Sequence, residues 1–173
     1  MKKLLLLLLL TNFSCTFPDL SDPAHLAGVL GEAIDEERLK QEKRITPYTG
    51  WIKRLHDNGQ VQLLFKLKGA KLHGQVAGFY KDGALRIIEE YNNGIVDGRG
   101  AEWYNNGQQK TEKFSKGGKL NGDFKAWYSN GNKVEEGRYL DGLREGLWIH
   151  YNETGEEDGR VVFKDGRNSN STS

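Results

Sequence analysis

Neighbouring carboxylates are the residues of this sequence whose types could most readily do chemistry. They stand at Glu89-Glu90, Glu135-Glu136 and Glu156-Glu157-Asp158. Two carboxyl groups about 5 to 10 Å apart can serve as acid and nucleophile, or acid and base, in glycoside hydrolysis. Carboxylates are abundant throughout this part of the chain, however, and such a distribution is typical of a solvated β surface. The pattern therefore favours a charged face over a catalytic pair.

The histidines and the cysteine do not form a recognisable centre in the sequence. His25, His56, His73 and His150 are scattered, and none of them pairs at the spacing of metal ligands. Cys15, the only cysteine, has no neighbour that would activate it as a nucleophile and no partner for a disulfide. We expect no enzymatic activity, no metal and no cofactor. The net charge of +1, from 25 basic and 24 acidic residues, also argues against nucleic acid as a partner.

The first 15 residues read as an export signal. Lys2 and Lys3 precede the apolar run Leu4 to Leu10, which is too short to span a bilayer, since that takes about 20 residues. Cys15 follows the small residue Ser14, and the segment resembles a bacterial lipoprotein signal peptide, in which the cysteine carries the lipid. The alternative is ordinary cleavage nearby, with Cys15 removed or left free. Both predict an exported protein that is membrane-anchored, periplasmic or extracellular.

A linker with one amphipathic helix is predicted over residues 16–47. Ser21 or Asp22 would cap the helix, Pro23 stands near its first position, and Pro47 ends the segment. One apolar stripe recurs at helical spacing, formed by Leu26, Val29, Leu30, Ala33 and Ile34. The helix is expected to act as a spacer or as a lid over one end of a sheet. The alternative is a helix that binds a partner.

Residues 48–167 contain a repeat of 24 residues. One glycine series is Gly50, Gly74, Gly98, Gly122 and Gly146, and a second is Gly59, Gly83, Gly107, Gly131 and Gly155. The period divides the segment into five repeats: 48–72, 73–96, 97–120, 121–144 and 145–167. Residues 168–173 form a low-complexity tail that we expect to be disordered.

Each repeat is predicted to be one β-hairpin. Two turn signals fall in each unit, such as Asn106-Gly107 and Asn93-Gly94, and these pairs favour type I′ turns. Between the turns, apolar and polar residues alternate. The sequence therefore predicts an all-β fold, an elongated single-layer antiparallel meander of about ten strands, about 4.8 Å apart, giving a ribbon about 45 Å long.

Two aromatic columns follow from the period. The fifth residues after the leading glycines are Leu55, Phe79, Trp103, Trp127 and Tyr151, and the sixth are His56, Tyr80, Tyr104, Tyr128 and Asn152. Neighbouring positions of a strand face opposite sides, so each column should line one face. The candidate binding residues are Tyr80, Tyr104 and Tyr128, whose rings suit a peptide or a glycan. The alternative is that the tyrosines only pack within the sheet.

The pattern G-x-x-x-x-W-Y-x-N-G, followed by Y-x-x-G-x-x-x-G, resembles the MORN repeat in its bacterial variant form. The pattern also resembles that of the YwqK-type proteins, which are described as antitoxins. The resemblance implies a curled β-sheet that contacts protein or membrane, with no catalytic residues. We therefore expect a non-enzymatic exported scaffold that binds a protein or an envelope component and is anchored by lipid at Cys15. The alternative is an antitoxin-like regulatory binding protein of a toxin–antitoxin system.

Overall fold

A computed structural model of the chain describes residues 20–41 and 48–169. The predicted signal peptide, with Cys15, lies outside the described residues, as do Pro47 and residues 170–173. The sequence predicts a disordered tail from residue 168. This prediction is wrong for Asn168, which belongs to a short strand that pairs with the preceding strand.

The described chain contains two short helices and thirteen strands in one sheet. The helices are α1 (Pro23–Glu32) and α2 (Glu36–Gln41). The strands are β1 (Ile34–Asp35), β2 (Gly50–Leu55), β3 (Val61–Lys68), β4 (Lys71–Phe79), β5 (Leu85–Asn92), β6 (Ile95–Trp103), β7 (Gln109–Lys116), β8 (Lys119–Leu120), β9 (Gly122–Trp127), β10 (Lys133–Leu140), β11 (Leu143–Tyr151), β12 (Glu157–Lys164) and β13 (Arg167–Asn168).

The sheet is an open meander in which the strands follow one another in chain order. Ten strands have six or more residues, and β1, β8 and β13 have two each. All neighbours pair antiparallel except β1 and β2, which are parallel. The predicted all-β meander of hairpins is therefore confirmed. Such a sheet has high local connectivity, because each hairpin packs chiefly against the hairpins before and after it in the chain.

The first turn of each hairpin differs from the predicted type I′ turn. In the third repeat the Gly107 N–H donates to the Tyr104 carbonyl at 3.0 Å, and the Tyr104 N–H donates to the Gln108 carbonyl at 2.8 Å. Gly107 has a φ of +82°, whereas Asn106 is not among the residues with positive φ. This is a three-residue loop with one left-handed glycine. The Asn106 side chain selects it by accepting a hydrogen bond from the Gln108 N–H at 3.0 Å.

The second turn of each unit has the expected conformation. Asn93 and Gly94 have φ values of +51° and +86°, and Asp141 and Gly142 have +51° and +89°. Two successive residues with positive φ define a type I′ turn, whose twist matches that of the flanking strands.

The N-terminal segment forms two helices and a strand instead of the one predicted helix. α1 begins after Asp22, whose carboxylate accepts a hydrogen bond from the Ala24 N–H at 2.8 Å. It ends at Glu32, with Ala33 as the C-cap, because Ile34 and Asp35 leave the helix to pair with Ile52 and Lys53 of β2. The Asp35 carboxylate then caps α2. The segment thus covers one edge of the sheet.

The two helices pack on opposite faces of the sheet, which we call the α1 face and the α2 face. On the α1 face, Val29 and Ala33 of the helix belong to a buried cluster with sheet residues of the first two repeats. The cluster is completed by Leu20, Trp51, Leu64, Ala77, Phe79 and Ile88. The predicted lid over one end of the sheet is therefore observed. Each fully buried leucine in such a cluster contributes about 1.5 to 3 kcal/mol.

The α2 face has two separate apolar regions. At the N-terminal end, Leu39 of α2 is 1% exposed and packs with Ile52 and Leu67. At the C-terminal end, an aromatic cluster forms without a helix, and its members are Phe124, Tyr139, Trp148 and Phe163. Trp148 is fully buried there, and a Cβ atom at Gly137 would lie 2.3 Å from its ring. The glycine therefore makes room for the indole.

Candidate functional site

The three candidate tyrosines form a hydrogen-bonded ladder along one margin of the sheet. The Tyr80 hydroxyl donates to the Trp103 carbonyl at 2.8 Å, and the Tyr104 hydroxyl donates to the Trp127 carbonyl at 2.9 Å. Tyr128 repeats the contact with the Tyr151 carbonyl at 3.1 Å. Each tyrosine therefore joins its own repeat to the next one.

The turn asparagines add a second connection at the same margin. The Asn58 amide donates to the Lys81 carbonyl at 2.7 Å, Asn106 donates to Ser129 at 2.8 Å, and Asn130 donates to Glu153 at 2.9 Å. In the second repeat Asp82 replaces the asparagine and has no amide to donate. The ladder explains why the turn residues recur in phase with the tyrosines, since each turn hydrogen-bonds to its successor.

The ladder limits what the tyrosines could offer a ligand. Tyr80, Tyr104 and Tyr128 are half-buried, and their hydroxyls donate to backbone carbonyls within the sheet. A ligand would therefore have to contact the exposed parts of the rings. The binding role of these residues stays a prediction, and their part in joining the repeats is a structural observation.

Three of the carboxylates singled out in the sequence, Glu89, Glu90 and Glu135, are held by cations or by the backbone. Glu89 pairs with Lys113 at 2.8 Å on the α2 face, and the Glu90 carboxylate accepts the Arg99 N–H at 3.1 Å. Glu135 accepts two hydrogen bonds from Arg144, each 2.9 Å long. These groups are engaged in fixing neighbouring strands.

Glu136 has the most distinct environment among these carboxylates. It accepts hydrogen bonds from Lys133 at 2.8 Å and from the Tyr151 hydroxyl at 2.7 Å. The bond from Lys133, followed by that from Tyr151, lowers the pKa of the Glu136 carboxyl below its usual range. The same contact raises the pKa of the Tyr151 phenol. Glu136 is therefore suited to remain ionised and to tie β10 to β11, and not to act as a general acid.

Arg144 is the centre of a compact group on the α2 face. Its guanidinium lies 3.9 Å from the centroid of the Trp148 ring and is hydrogen-bonded to Glu135. His150 lies 3.4 Å from the same carboxylate. Stacking on the indole and the two hydrogen bonds from one guanidinium nitrogen together hold Arg144 in place above the aromatic cluster. This group covers the cluster on a part of the face where no helix of the described chain lies.

Sequence reasoning missed an exposed apolar patch on the α1 face. Leu140, Leu143, Leu147 and Val162 are 49%, 50%, 46% and 40% exposed. Leu140 pairs with Leu143, and Leu147 pairs with Val162, so the side chains of each pair share a face. We call these four residues the apolar patch. It lies in the last two repeats, beyond the part of the face that α1 covers.

The sequence contained a signal for this patch. The residues that flank the second turn are Lys68 and Lys71 in the first repeat, and Lys116 and Lys119 in the third. In the fourth repeat both positions are leucine. An exposed apolar residue at a position where other repeats carry lysine is not needed for solubility, and it therefore indicates an interaction surface.

Within residues 20–41 and 48–169, no three histidine, cysteine, aspartate or glutamate side chains are grouped to hold a metal ion. No helix in the same ranges has the length and apolar character needed to cross a membrane.

Comparison of the chain with models of known protein families and with curated proteins gave no match.

Proposed function

We propose that the protein is a non-enzymatic, exported interaction module that binds a protein or an envelope component. The observation that carries the proposal is the apolar patch, because four large apolar side chains stand 40 to 50% exposed on one sheet face. Large exposed apolar side chains grouped on one face commonly mark protein interaction sites. The resemblance of the five repeats to the MORN repeat supports the same conclusion.

The patch can be tested by site-specific photo-crosslinking in cells. A photoreactive residue at Leu143 should give a discrete covalent adduct with a partner, because this side chain is half exposed and belongs to the proposed surface. The matched control is Ile95, which stands at the equivalent position of the second repeat and is 52% exposed. An adduct from both positions, or from neither, would contradict a binding site at the patch.

Anchoring by lipid at Cys15 is the second part of the proposal, and it has a separate test. Intact mass and membrane fractionation of the chain should be compared with those of Cys15→Ser. We expect a membrane-bound form that carries lipid mass and is lost in the variant. A soluble form without lipid would overturn the anchor. A retained leader on a cytoplasmic protein would favour the antitoxin-like alternative.

A further inference from the structure

The chain contains five asparagines that are each followed directly by glycine. In this dipeptide the backbone nitrogen of the glycine can attack the side-chain carbonyl carbon of the asparagine, because glycine has no side chain to hinder the approach. The nitrogen loses its proton, the side-chain amide leaves as ammonia, and a five-membered succinimide ring forms. Water then opens the ring to aspartate or isoaspartate. The five pairs are Asn58-Gly59, Asn93-Gly94, Asn106-Gly107, Asn121-Gly122 and Asn130-Gly131.

Three of these asparagines stand in first turns, and each side chain is held by two hydrogen bonds. Asn106 donates to the Ser129 carbonyl at 2.8 Å and accepts the Gln108 N–H at 3.0 Å. Asn58 and Asn130 make the same two contacts in their own turns. Closing the succinimide ring requires the side-chain amide to leave both partners. The contacts that join the repeats therefore also slow deamidation at these three asparagines.

Asn121 is held by a different contact. Its side-chain nitrogen donates to the Asp141 carboxylate at 3.1 Å, and its backbone N–H donates to the Phe114 carbonyl at 2.8 Å. The residue is half-buried between β8 and β9. Because its partner is a side chain of the second turn in the same repeat, this restraint can be removed by a single substitution.

The side chain of Asn93 has no comparable restraint. It is exposed and makes no hydrogen bond with any described residue. The Gly94 N–H donates to the Leu72 carbonyl at 2.8 Å, and this bond opposes the attack on Asn93. The glycine N–H groups of the first turns are bonded as well, as Gly107 is to Tyr104 at 3.0 Å, so this contact does not distinguish the sites. The difference lies in the asparagine side chains.

We infer that Asn93 is the site at which the folded chain deamidates, while the other four asparagines stay protected. The aspartate product fits this turn, because Asp141 and Asp165 occupy the same position of the last two repeats and share its φ of +51°. The isoaspartate product inserts a methylene group into the main chain between β5 and β6. Deamidation in a first turn would instead remove an amide that joins two repeats. The inference does not depend on the proposed partner or on the lipid anchor.

Peptide mapping by mass spectrometry, after incubation of the full chain at mildly alkaline pH, tests the inference. Deamidation at Asn93 should be about tenfold faster than at any of the other four asparagines, because no side-chain hydrogen bond has to break there. In concentrated urea the five rates should become similar, since the next residue is glycine at every site. Equal rates in the folded chain, or the same order of rates in urea, would overturn the inference.

Two variants test whether the side-chain hydrogen bonds give the protection. Asp141→Gly removes the acceptor of Asn121, and glycine fits this turn because Gly117 stands at the equivalent position of the third repeat with a φ of +57°. Deamidation at Asn121 should then become several-fold faster, whereas the rate at Asn93 should not change. Asn93→Gly should abolish the fastest reaction and leave the other four rates unchanged. An Asn121 rate that Asp141→Gly does not raise would contradict the inference.

Discussion

The first two repeats bury apolar side chains on both faces of the sheet, whereas in the last two the buried tryptophan lies on the α2 face and apolar side chains on the α1 face stay exposed. In the first two, α1 covers the α1 face, and Trp51, Leu64 and Ile88 are buried beneath it. In the last two, the α1 face carries the exposed apolar patch, and the buried tryptophan, Trp148, lies on the other face. The repeats share one backbone geometry, so the face on which a repeat buries its apolar core depends on its own side chains.

One row of residues across the α1 face shows where this change occurs. Leu64, Ala77, Ile88 and Ala101 are cross-strand neighbours in series and are all buried. The row continues through Glu112, Lys125 and Glu136, which are charged. Buried charges without partners are costly, so the apolar core on this face ends with the third repeat. The 24-residue period therefore determines where the strands lie. The residue types within each repeat determine which face of the sheet is buried.

Removal of the Trp148 side chain is expected to have the largest effect. Trp148→Ala should lower the free energy of unfolding by about 3 to 5 kcal/mol, because it empties the centre of the aromatic cluster. Native-state hydrogen exchange should show the loss in β9 to β12, with β2 to β5 keeping most of their protection. Equal loss at both ends would contradict two separate cores. Leu64→Ala, made as a control, should reverse the pattern.

Substitution of Gly137 should have the next largest effect. A Cβ atom there would lie 2.3 Å from the Trp148 ring, so Gly137→Ala should destabilise the protein by about 1 to 3 kcal/mol through overpacking. Gly159→Ala is the control, because a Cβ at Gly159 meets nothing within 4 Å. Urea denaturation of both variants compares them directly. Equal stability would mean that the indole can move aside.

Loss of one tyrosine hydroxyl should cost less and should be similar at both ends of the sheet. Tyr80→Phe and Tyr128→Phe each remove a hydrogen bond to a backbone carbonyl of the next repeat. We expect each change to lower the free energy of unfolding by about 0.5 to 1.5 kcal/mol. Alanine at the same positions should cost more, since it also removes the ring. If a phenylalanine variant loses partner binding without losing stability, the tyrosine ladder is a binding surface as well.

The smallest effect concerns the ion pair that fastens α2 to the first repeat. Arg54 donates to Glu36 at 2.5 and 3.2 Å, and these hydrogen bonds lower the pKa of the Glu36 carboxyl below its ordinary range. A lowered pKa in the folded state gives stability that is present above the unfolded pKa and is lost as the pH falls through the folded value.

Glu36→Gln should therefore lower the stability by about 0.5 to 1 kcal/mol at neutral pH and have little effect in acid. Thermal unfolding at several pH values measures the difference. Glu37→Gln is the control, because Glu37 is 72% exposed and pairs with Lys40. A difference between wild type and Glu36→Gln that stays constant with pH would contradict the assigned role.

The sequence was sufficient to predict the strands, because their determinants are local. Glycine spacing and alternation are read along the chain, and the ten long strands follow from them. The end of α1 at Glu32 was not predictable in this way, since it depends on parallel pairing of Ile34 with a strand 18 residues later. The partners of the tyrosine hydroxyls lie 23 residues away and appear only once the hairpins are stacked.

The turns show the limit of local reasoning most clearly. Asn106-Gly107 and Asn93-Gly94 are the same dipeptide, yet one stands in a three-residue loop and the other in a type I′ turn. The dipeptide permits both turn conformations, and the number of residues between the two strands decides which one forms. Of the candidate site, the tyrosine column could be predicted. The apolar patch required a comparison of each repeat with the others.

The hydrogen bonds between repeats give the array a direction and an end. Tyr80, Tyr104 and Tyr128 each reach forward to the following unit. In the last repeat Asn152 takes the place of the tyrosine, and its side-chain oxygen accepts the N–H groups of Thr154 and Glu156 in its own turn. The last unit thus needs no successor at this position. Evolution or a designer could lengthen the protein by duplicating an interior unit, whereas a unit appended after the fifth would find no tyrosine reaching toward it.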